Sequence, residues 1–321
     1  MSIQILMSTY NGEKYIRTQL DSILSQTYQD FHVFVRDDGS TDKTLSILEE
    51  YTSKDERVIW FQGKNMGAAL SFFELINCAD LEMDYFAFAD QDDFWLPDKL
   101  ERAVAVLDNV NEKGLEYLEK DKKLLFCGSG ASERPLLYCG AKELVDEGLQ
   151  PLDNAVSIIV KKLSFGNALV QNICTGCTCV LNREFIKLLR EYTPQNLIMH
   201  DWWFYLIGSS MGTVVYDQVS MIRYRQHGRN TSGAMVSKWE LAKYRLRQLV
   251  CKRGDIYRQV EEFQSHFKKN LNRKDVVLAK LVCGSSKSIF ERIKLVFNSN
   301  IYRQKTEDNF VFKLIVILGK L

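Results

Sequence analysis

Asp90-Gln91-Asp92-Asp93 places three carboxylates within four residues, directly after the wholly apolar run Tyr85 to Ala89. Acidic groups so close repel one another unless something positive sits among them. A hard divalent cation meets that need: Mg²⁺ prefers oxygen ligands, keeps several waters, and commonly takes one or two protein carboxylates together with substrate phosphates. The plainer alternative is a solvated turn in which Asp93 caps the helix beginning near Pro97. Two more polar clusters invite the same pair of readings. Ser8-Thr9-Tyr10-Asn11 follows the apolar run Ile3 to Met7, and its backbone groups and ring suit a nucleoside. Asp37-Asp38-Gly39-Ser40 follows His32 to Arg36, and its carboxylates suit a base or ribose edge, or simply a turn and helix cap. Farther on, Asp201 opens an aromatic-rich helix, where the residues alone favour a first-turn helix acid.

These clusters acquire a common position from the elements around them. Ile3 to Met7, His32 to Arg36, Val58 to Phe61 and Tyr85 to Ala89 read as strands. Glu13 to Gln26, Thr44 to Tyr51 and Gly67 to Ala79 carry apolar residues at helical spacing, the last with Leu70, Phe73, Leu75 and Ile76 inward. Alternation of this kind predicts an α/β sheet with helices on both faces. Ligands of such sheets bind beyond the carboxyl ends of the strands, so the three clusters should converge on one cleft. Later, Pro97 to Asn109 reads as a helix and Leu124 to Ser129 as a strand. Arg183 to Tyr192 is again helical, and Val214 to Tyr216 and Met221 to Tyr224 are strands.

The 321 residues are 46% hydrophobic and 26% charged, an ordinary globular composition that excludes disordered and collagen-like classes. A net charge of +1 gives no reason to expect a nucleic-acid partner. The charge is uneven: residues 229–321 hold 20 Lys and Arg against 8 Asp and Glu, and residues 1–228 hold 22 against 33. An acidic front and a basic tail suggest two zones, the second facing an anionic surface. The start lacks a signal-peptide pattern and no apolar run is long enough to span a bilayer, so a cytoplasmic protein with reduced thiols is expected. Cys174, Cys177 and Cys179 lack the second ligand pair of a zinc site.

Taken in order, the segments Met7-Ser8-Thr9-Tyr10-Asn11-Gly12, Gln26-Thr27-Tyr28, Arg36-Asp37-Asp38-Gly39-Ser40-Thr41-Asp42, Asn65-Met66-Gly67, Ala89-Asp90-Gln91-Asp92-Asp93, Pro97-Asp98-Lys99-Leu100 and His200-Asp201-Trp202-Trp203 resemble the family 2 glycosyltransferases. Met199-His200-Asp201-Trp202-Trp203 with Tyr224-Arg225-Gln226-His227-Gly228 looks like the bacterial rhamnosyltransferase branch. The resemblance covers roughly residues 2 to 230. It implies a GT-A fold, a Rossmann-like mixed sheet flanked by helices, over residues 1–230, and a mainly helical, basic region over residues 231–321.

It also implies roles. Asp38 matches the carboxylate that bonds the pyrimidine base, while Ser8, Thr9, Tyr10, Asn11 and Asp90 fall at the nucleotide. Asp92 with Asp90 matches the metal site, for Mg²⁺ or Mn²⁺, and Asp201 matches the catalytic base. The family usually has an acidic pair there; His200 leaves Asp201 the only carboxylate of the motif. A helix N-terminus should lower the Asp201 pKa. His227 and Arg225, with Arg223 near, suit a diphosphate or acceptor; Trp202, Trp203 and Trp95 are large aromatics that either stack on a sugar or fill the core.

The implied activity is inverting, metal-dependent transfer of a sugar, L-rhamnose from dTDP-rhamnose, to a cell-surface polysaccharide or lipid-linked glycan. The alternatives are a UDP-hexose or galactofuranose donor, or a non-catalytic carbohydrate- or membrane-binding protein on the same scaffold. In the tail, Trp239 to Val250, Ile289 to Phe297 and Phe310 to Leu318 mix apolar and basic residues. They suit peripheral attachment to the inner face of the cell membrane, a helical subdomain, or an oligomer contact such as a homodimer.

Overall fold

The computed structural model describes residues 1–128, 134–152, 160–228 and 254–321. Four parallel strands open the chain: β1 (Ile3–Thr9), β2 (Phe31–Asp37), β3 (Val58–Gln62) and β4 (Tyr85–Ala89). They are joined by helices α1 (Ile16–Leu24), α2 (Thr44–Lys54) and α3 (Ala68–Cys78). The chain continues through β5 (Phe94–Trp95), α4 (Lys99–Lys113), α5 (Leu115–Lys120), β6 (Leu124–Gly128), β7 (Leu136–Gly140), β8 (Glu143–Val145) and α6 (Phe165–Ala168). After a 3₁₀ turn at Gly176–Thr178 come β9 (Val180–Asn182), α7 (Arg183–Arg190), α8 (His200–Met211), β10 (Thr213–Asp217) and β11 (Ile222–Arg225).

Eight strands form one mixed sheet in the order β3-β2-β1-β4-β9-β7-β10-β6, with β9 antiparallel to both its neighbours. β5, β11 and β8 make a small second sheet beside it. β4 shows why its sequence is apolar throughout. Phe86 and Phe88 enter the core on one face; Tyr85, Ala87 and Ala89 enter the core on the other. Successive side chains alternate across a strand, so a strand covered on both faces has no polar side to show. In α3 the buried face differs from expectation: Leu70 is 38% exposed, while Phe72 and Phe73 are buried with Leu75 and Ile76.

Four helices end the chain: α9 (Asp255–Phe267), α10 (Arg273–Gly284), α11 (Ile289–Phe297) and α12 (Thr306–Ile317). The side chains of Asn272 and Ser288 accept from the N–H groups of Asp275 and Glu291, capping α10 and α11 as expected for such residues. These helices share the sheet's core. Val260, Phe263, Phe267, Phe312 and Val316 belong to the same apolar cluster as Phe86 and Trp203, and Phe263 meets the Trp203 ring edge-on at 5.3 Å. Gln304 adds a polar link, donating to Asn167 Oδ1 (3.0 Å) and to the Lys162 carbonyl (2.7 Å). The expected boundary near residue 230 and the segment Trp239 to Val250 lie outside the described residues. Among the described residues no helix is long and apolar enough to cross a membrane.

Candidate active site

The strand ends open onto one cleft of about 2190 Å³. Ser8, Thr9, Tyr10, Asn11, Asp38, Asp90, Asp92, Asp201, Trp202 and His227 all line it. Its first wall is tied together by short polar contacts. Thr9 Oγ1 and the Tyr10 N–H both donate to Gln91 Oε1 (2.6 and 2.8 Å), and Gln91 Nε2 returns a bond to the Tyr10 carbonyl (3.1 Å). Gln91 thus fixes the β1 loop to the acidic run. Asn11 adopts a left-handed φ of 48°, which Asn tolerates better than most residues; its side chain accepts from the Thr41 N–H (2.9 Å).

The paired acids at the end of β2 divide the work. Asp37 is fully buried and accepts from the Gly39 and Ser40 N–H groups (3.0 and 2.8 Å), closing the turn. Asp38 accepts from Arg36 (2.6 Å) and from the backbone of Met66 (3.0 Å) and Gly67 (2.9 Å). Both side chains of the Arg36–Asp38 pair are almost wholly buried, a situation tolerable because the ions are paired and further hydrogen bonded.

At the centre, His227 Nε2 lies 2.6 Å from Asp92 Oδ2, and its ring stacks on Tyr15 at 4.8 Å. The Asp90 pKa is pushed up to about 7, first by burial and then by the charges of Asp92 and Asp201. Asp93 is also pushed well up by burial; one of its oxygens accepts from the Arg225 N–H (3.1 Å). Asp90, Asp93 and Cys177 bring their ligand-type atoms within 4.8 Å of one another. Burial drives the Cys177 pKa well up, so the group is a neutral thiol and unsuited to a hard cation.

Asp201, which lines the same cleft, stands in the first turn of α8. Its two oxygens accept separately, one from Asn172 Nδ2 (2.9 Å) and one from the Gly176 N–H (2.9 Å). The expected lowering of its pKa by the helix is overturned. Burial raises the group to about 6, outweighing the Gly176, Trp202 and Asn172 hydrogen bonds that favour the charged form. His200 beside it is buried among Phe72, Phe88 and Phe204, which pushes its pKa down to about 3 and keeps it neutral. A Cβ at Gly176 would fall 2.5 Å from His200 Nε2, so only glycine brings that N–H to Asp201 without displacing the ring.

Burial decides three readings that the sequence left open, each against contact with a ligand. Trp203 and Trp95 are core residues, 0% and 1% exposed, with no face turned to a sugar. Arg225 is 4% exposed; its guanidinium donates to the Asp92 (2.7 Å) and Glu147 carbonyls and lies 4.7 Å from the centre of the Tyr15 ring. It braces the acidic turn from behind and does not line the cleft. Trp202 does line it, its indole N–H donating to the Ala168 carbonyl (2.7 Å). Sequence reasoning missed Asn172 and also Lys142, which lines the cleft and packs over the Tyr224 ring at 3.8 Å. It also missed that Arg303, Lys305, Val311 and Ile315 of the basic tail form part of the cleft wall.

Comparison with known proteins now decides the family. Residues 4–124 match the model "Glycosyl transferase family 2". The dTDP-rhamnosyl transferase RfbG of Shigella flexneri is 31% identical over 268 residues, covering 79% of this chain and 81% of that protein. The chain is a family 2 glycosyltransferase. Solved structures support the GT-A fold of this glycosyltransferase. S. aureus TarS 1–349 in complex with UDP-GlcNAc is similar with a TM-score of 0.54 and 17% identity, over 99% of this chain and 91% of that one. The mannosyltransferase PcManGT from Pyrobaculum calidifontis, in complex with GDP-Man and Mn²⁺, has a TM-score of 0.50 and 16% identity, over 99% and 85% of the two chains.

Proposed function

We propose that this glycosyltransferase moves L-rhamnose from dTDP-rhamnose, with inversion and with a divalent cation, to a cell-surface polysaccharide or lipid-linked glycan. In this reading it works in the cytoplasm, attached peripherally to the inner face of the cell membrane. The observation that carries the chemistry is that Asp92 and Asp201 line the same cleft. The likeness to RfbG is what favours rhamnose.

The donor set suits Mg²⁺ or Mn²⁺. Asp92 with Asp90 offers hard oxygens, His227 Nε2 stands beside Asp92 Oδ2, and the upward shift of Asp90 comes first from burial and then from the like charges of Asp92 and Asp201, a repulsion that a cation would relieve. When bound, such an ion supplies Lewis-acid stabilisation to a departing diphosphate. The nucleoside falls to Ser8, Thr9, Tyr10, Asn11 and Asp38, with Gln91 holding the first loop in place for it.

Asp201 is the base. Inverting transfer requires a group that removes the acceptor hydroxyl's proton as its oxygen attacks the anomeric carbon. The Asn172 and Gly176 bonds hold both carboxylate oxygens in place. A pKa raised toward neutrality makes the group a better proton acceptor than an exposed aspartate, while leaving it charged at pH 7. Trp202 and His227 flank the space for donor diphosphate and acceptor.

Turnover of a panel of nucleotide sugars with lipid-linked acceptors tests the reading. Transfer from dTDP-rhamnose, abolished by a chelator and restored by Mn²⁺, is the expected result. Turnover of UDP-hexoses but not dTDP-rhamnose would overturn the rhamnosyl assignment.

A further inference from the structure

α11 leaves most of its apolar surface uncovered. Only Leu295 is buried; Ile289, Phe290, Ile293 and Phe297 are 48%, 73%, 45% and 82% exposed. Positions 289, 293 and 297 recur every four residues, with 290 beside them, so these side chains share one face of the helix. α12 repeats the arrangement. It buries Phe312, Ile315 and Val316 but exposes Phe310, Ile317 and Leu318, again at helical spacing. The two helices are tied together: Arg292 of α11 donates to the Ser285 carbonyl and reaches the Ile317 carbonyl at the end of α12 (3.4 Å). Two phenylalanines so exposed on one short helix are unusual for a surface facing only water.

Charge decides what covers this face. Residues 273–321 contain ten Lys and Arg against four Asp and Glu. Lys287 precedes α11, and Lys294 and Lys313 lie within the two helices, Lys294 being paired with Glu291 (2.6 Å). An isologous dimer through this face would press each copy's basic rim against the same rim of its partner. An anionic bilayer satisfies both features at once, taking the aromatic side chains into its interface while its head groups attract the basic rim.

We infer that the exposed face of α11, continued by α12, is the membrane-docking surface, and that its partner is an anionic phospholipid bilayer. The inference deepens the peripheral attachment proposed above and rests on that reading. It also sets an orientation. Val311 and Ile315 line the cleft while Phe310 and Leu318 of the same helical region face outward. Docking through α12 therefore holds one wall of the cleft close to the lipid surface, where a membrane-borne acceptor would arrive.

Cosedimentation of the full chain with vesicles of phosphatidylglycerol and phosphatidylcholine tests this. The wild-type chain should bind these vesicles, bind pure phosphatidylcholine poorly, and be released by high salt. F290E/F297E should lower binding at least tenfold. Both side chains are exposed, so the fold should persist; an unchanged melting curve and unchanged Mn²⁺-dependent nucleotide binding by calorimetry would verify it. If the double variant binds vesicles like the wild type, the docking face is wrong although membrane attachment stands. If the wild-type chain binds no anionic vesicle, both fail. If the same variant instead dissolves a dimer seen by sedimentation, the face is a self-association surface and the inference is overturned. Transfer to a short soluble acceptor should be unaffected by F290E/F297E, which separates loss of docking from loss of the catalytic reading.

Discussion

The sheet-edge wall of the cleft is held by polar contacts made directly to its functional side chains, whereas the helical wall combines apolar packing in the common core with hydrogen bonds at its margins, such as those Glu262 accepts from Tyr192 and Asn196. On the first, Gln91, Asp37, Asp38 and Asp201 each accept two or more hydrogen bonds, nearly all from groups that are distant in sequence or on the backbone. On the second, Phe263, Phe312 and Val316 are buried in the common core, and Gln304 and Glu262 tie the flanks of the helices to the sheet domain by hydrogen bonds. Hydrogen bonds fix direction as well as distance, while packing fixes shape and tolerates small shifts. The first wall is therefore suited to placing reacting atoms and the second to enclosing them. Damage to the two should be separable.

The largest expected effect is on Asp201. D201N keeps the size of the side chain but cannot accept the proton, so kcat should fall by about 10³-fold, while nucleotide binding by calorimetry changes little. An equal loss of binding would show that the residue is structural. On the helical wall, F263A opens a cavity beneath Trp203 and should cost about 3–5 kcal/mol of stability, read by thermal or urea unfolding, with kcat of the folded fraction changed only slightly. A large fall in kcat there would erase the distinction between the walls. Next, D92N should reduce transfer by about 10²-fold and weaken Mn²⁺-dependent nucleotide binding, since it removes one hard ligand. The smallest effect is on pH. A proposed base acts as its carboxylate, so a pKa of about 6 for Asp201 predicts that the rate falls as pH drops through 6, about tenfold per unit below it, and is level above. A profile flat down to pH 5 would show that the burial-driven shift does not govern the reaction.

Much of the first wall was legible in the sequence because periodicity reports it. β1 to β4 and their helices fall within a few residues of the expected spans, since each strand is an apolar run and each helix repeats near 3.6. The strands β7 and β8 were not foreseen: β8 is only three residues long, and no amphipathic helix of regular spacing flanks β7 as one flanks each of β1 to β4. Trp202 and Trp203 show a sharper limit. Neighbours on a helix point about 100° apart, so one can reach the cleft while the other is buried, and composition cannot say which. Arg225 illustrates the same loss of information for charge: a cation beside an acidic run suggests phosphate, yet this one is spent on two carbonyls behind the turn. Asn172 and Gly176 reach Asp201 only because the loop before β9 folds back over α8, a contact across 25 to 29 positions that no local pattern announces.

The volume of the cleft has a kinetic consequence. A pocket for one small ligand usually measures about 300–1,000 Å³, and this one is more than twice that upper figure, at about 2190 Å³. Donor and acceptor therefore have room to occupy it together, with no need for either to leave before the other enters. Initial rates measured against both substrates should give lines that intersect, as a ternary complex requires, and not the parallel lines of a substituted enzyme.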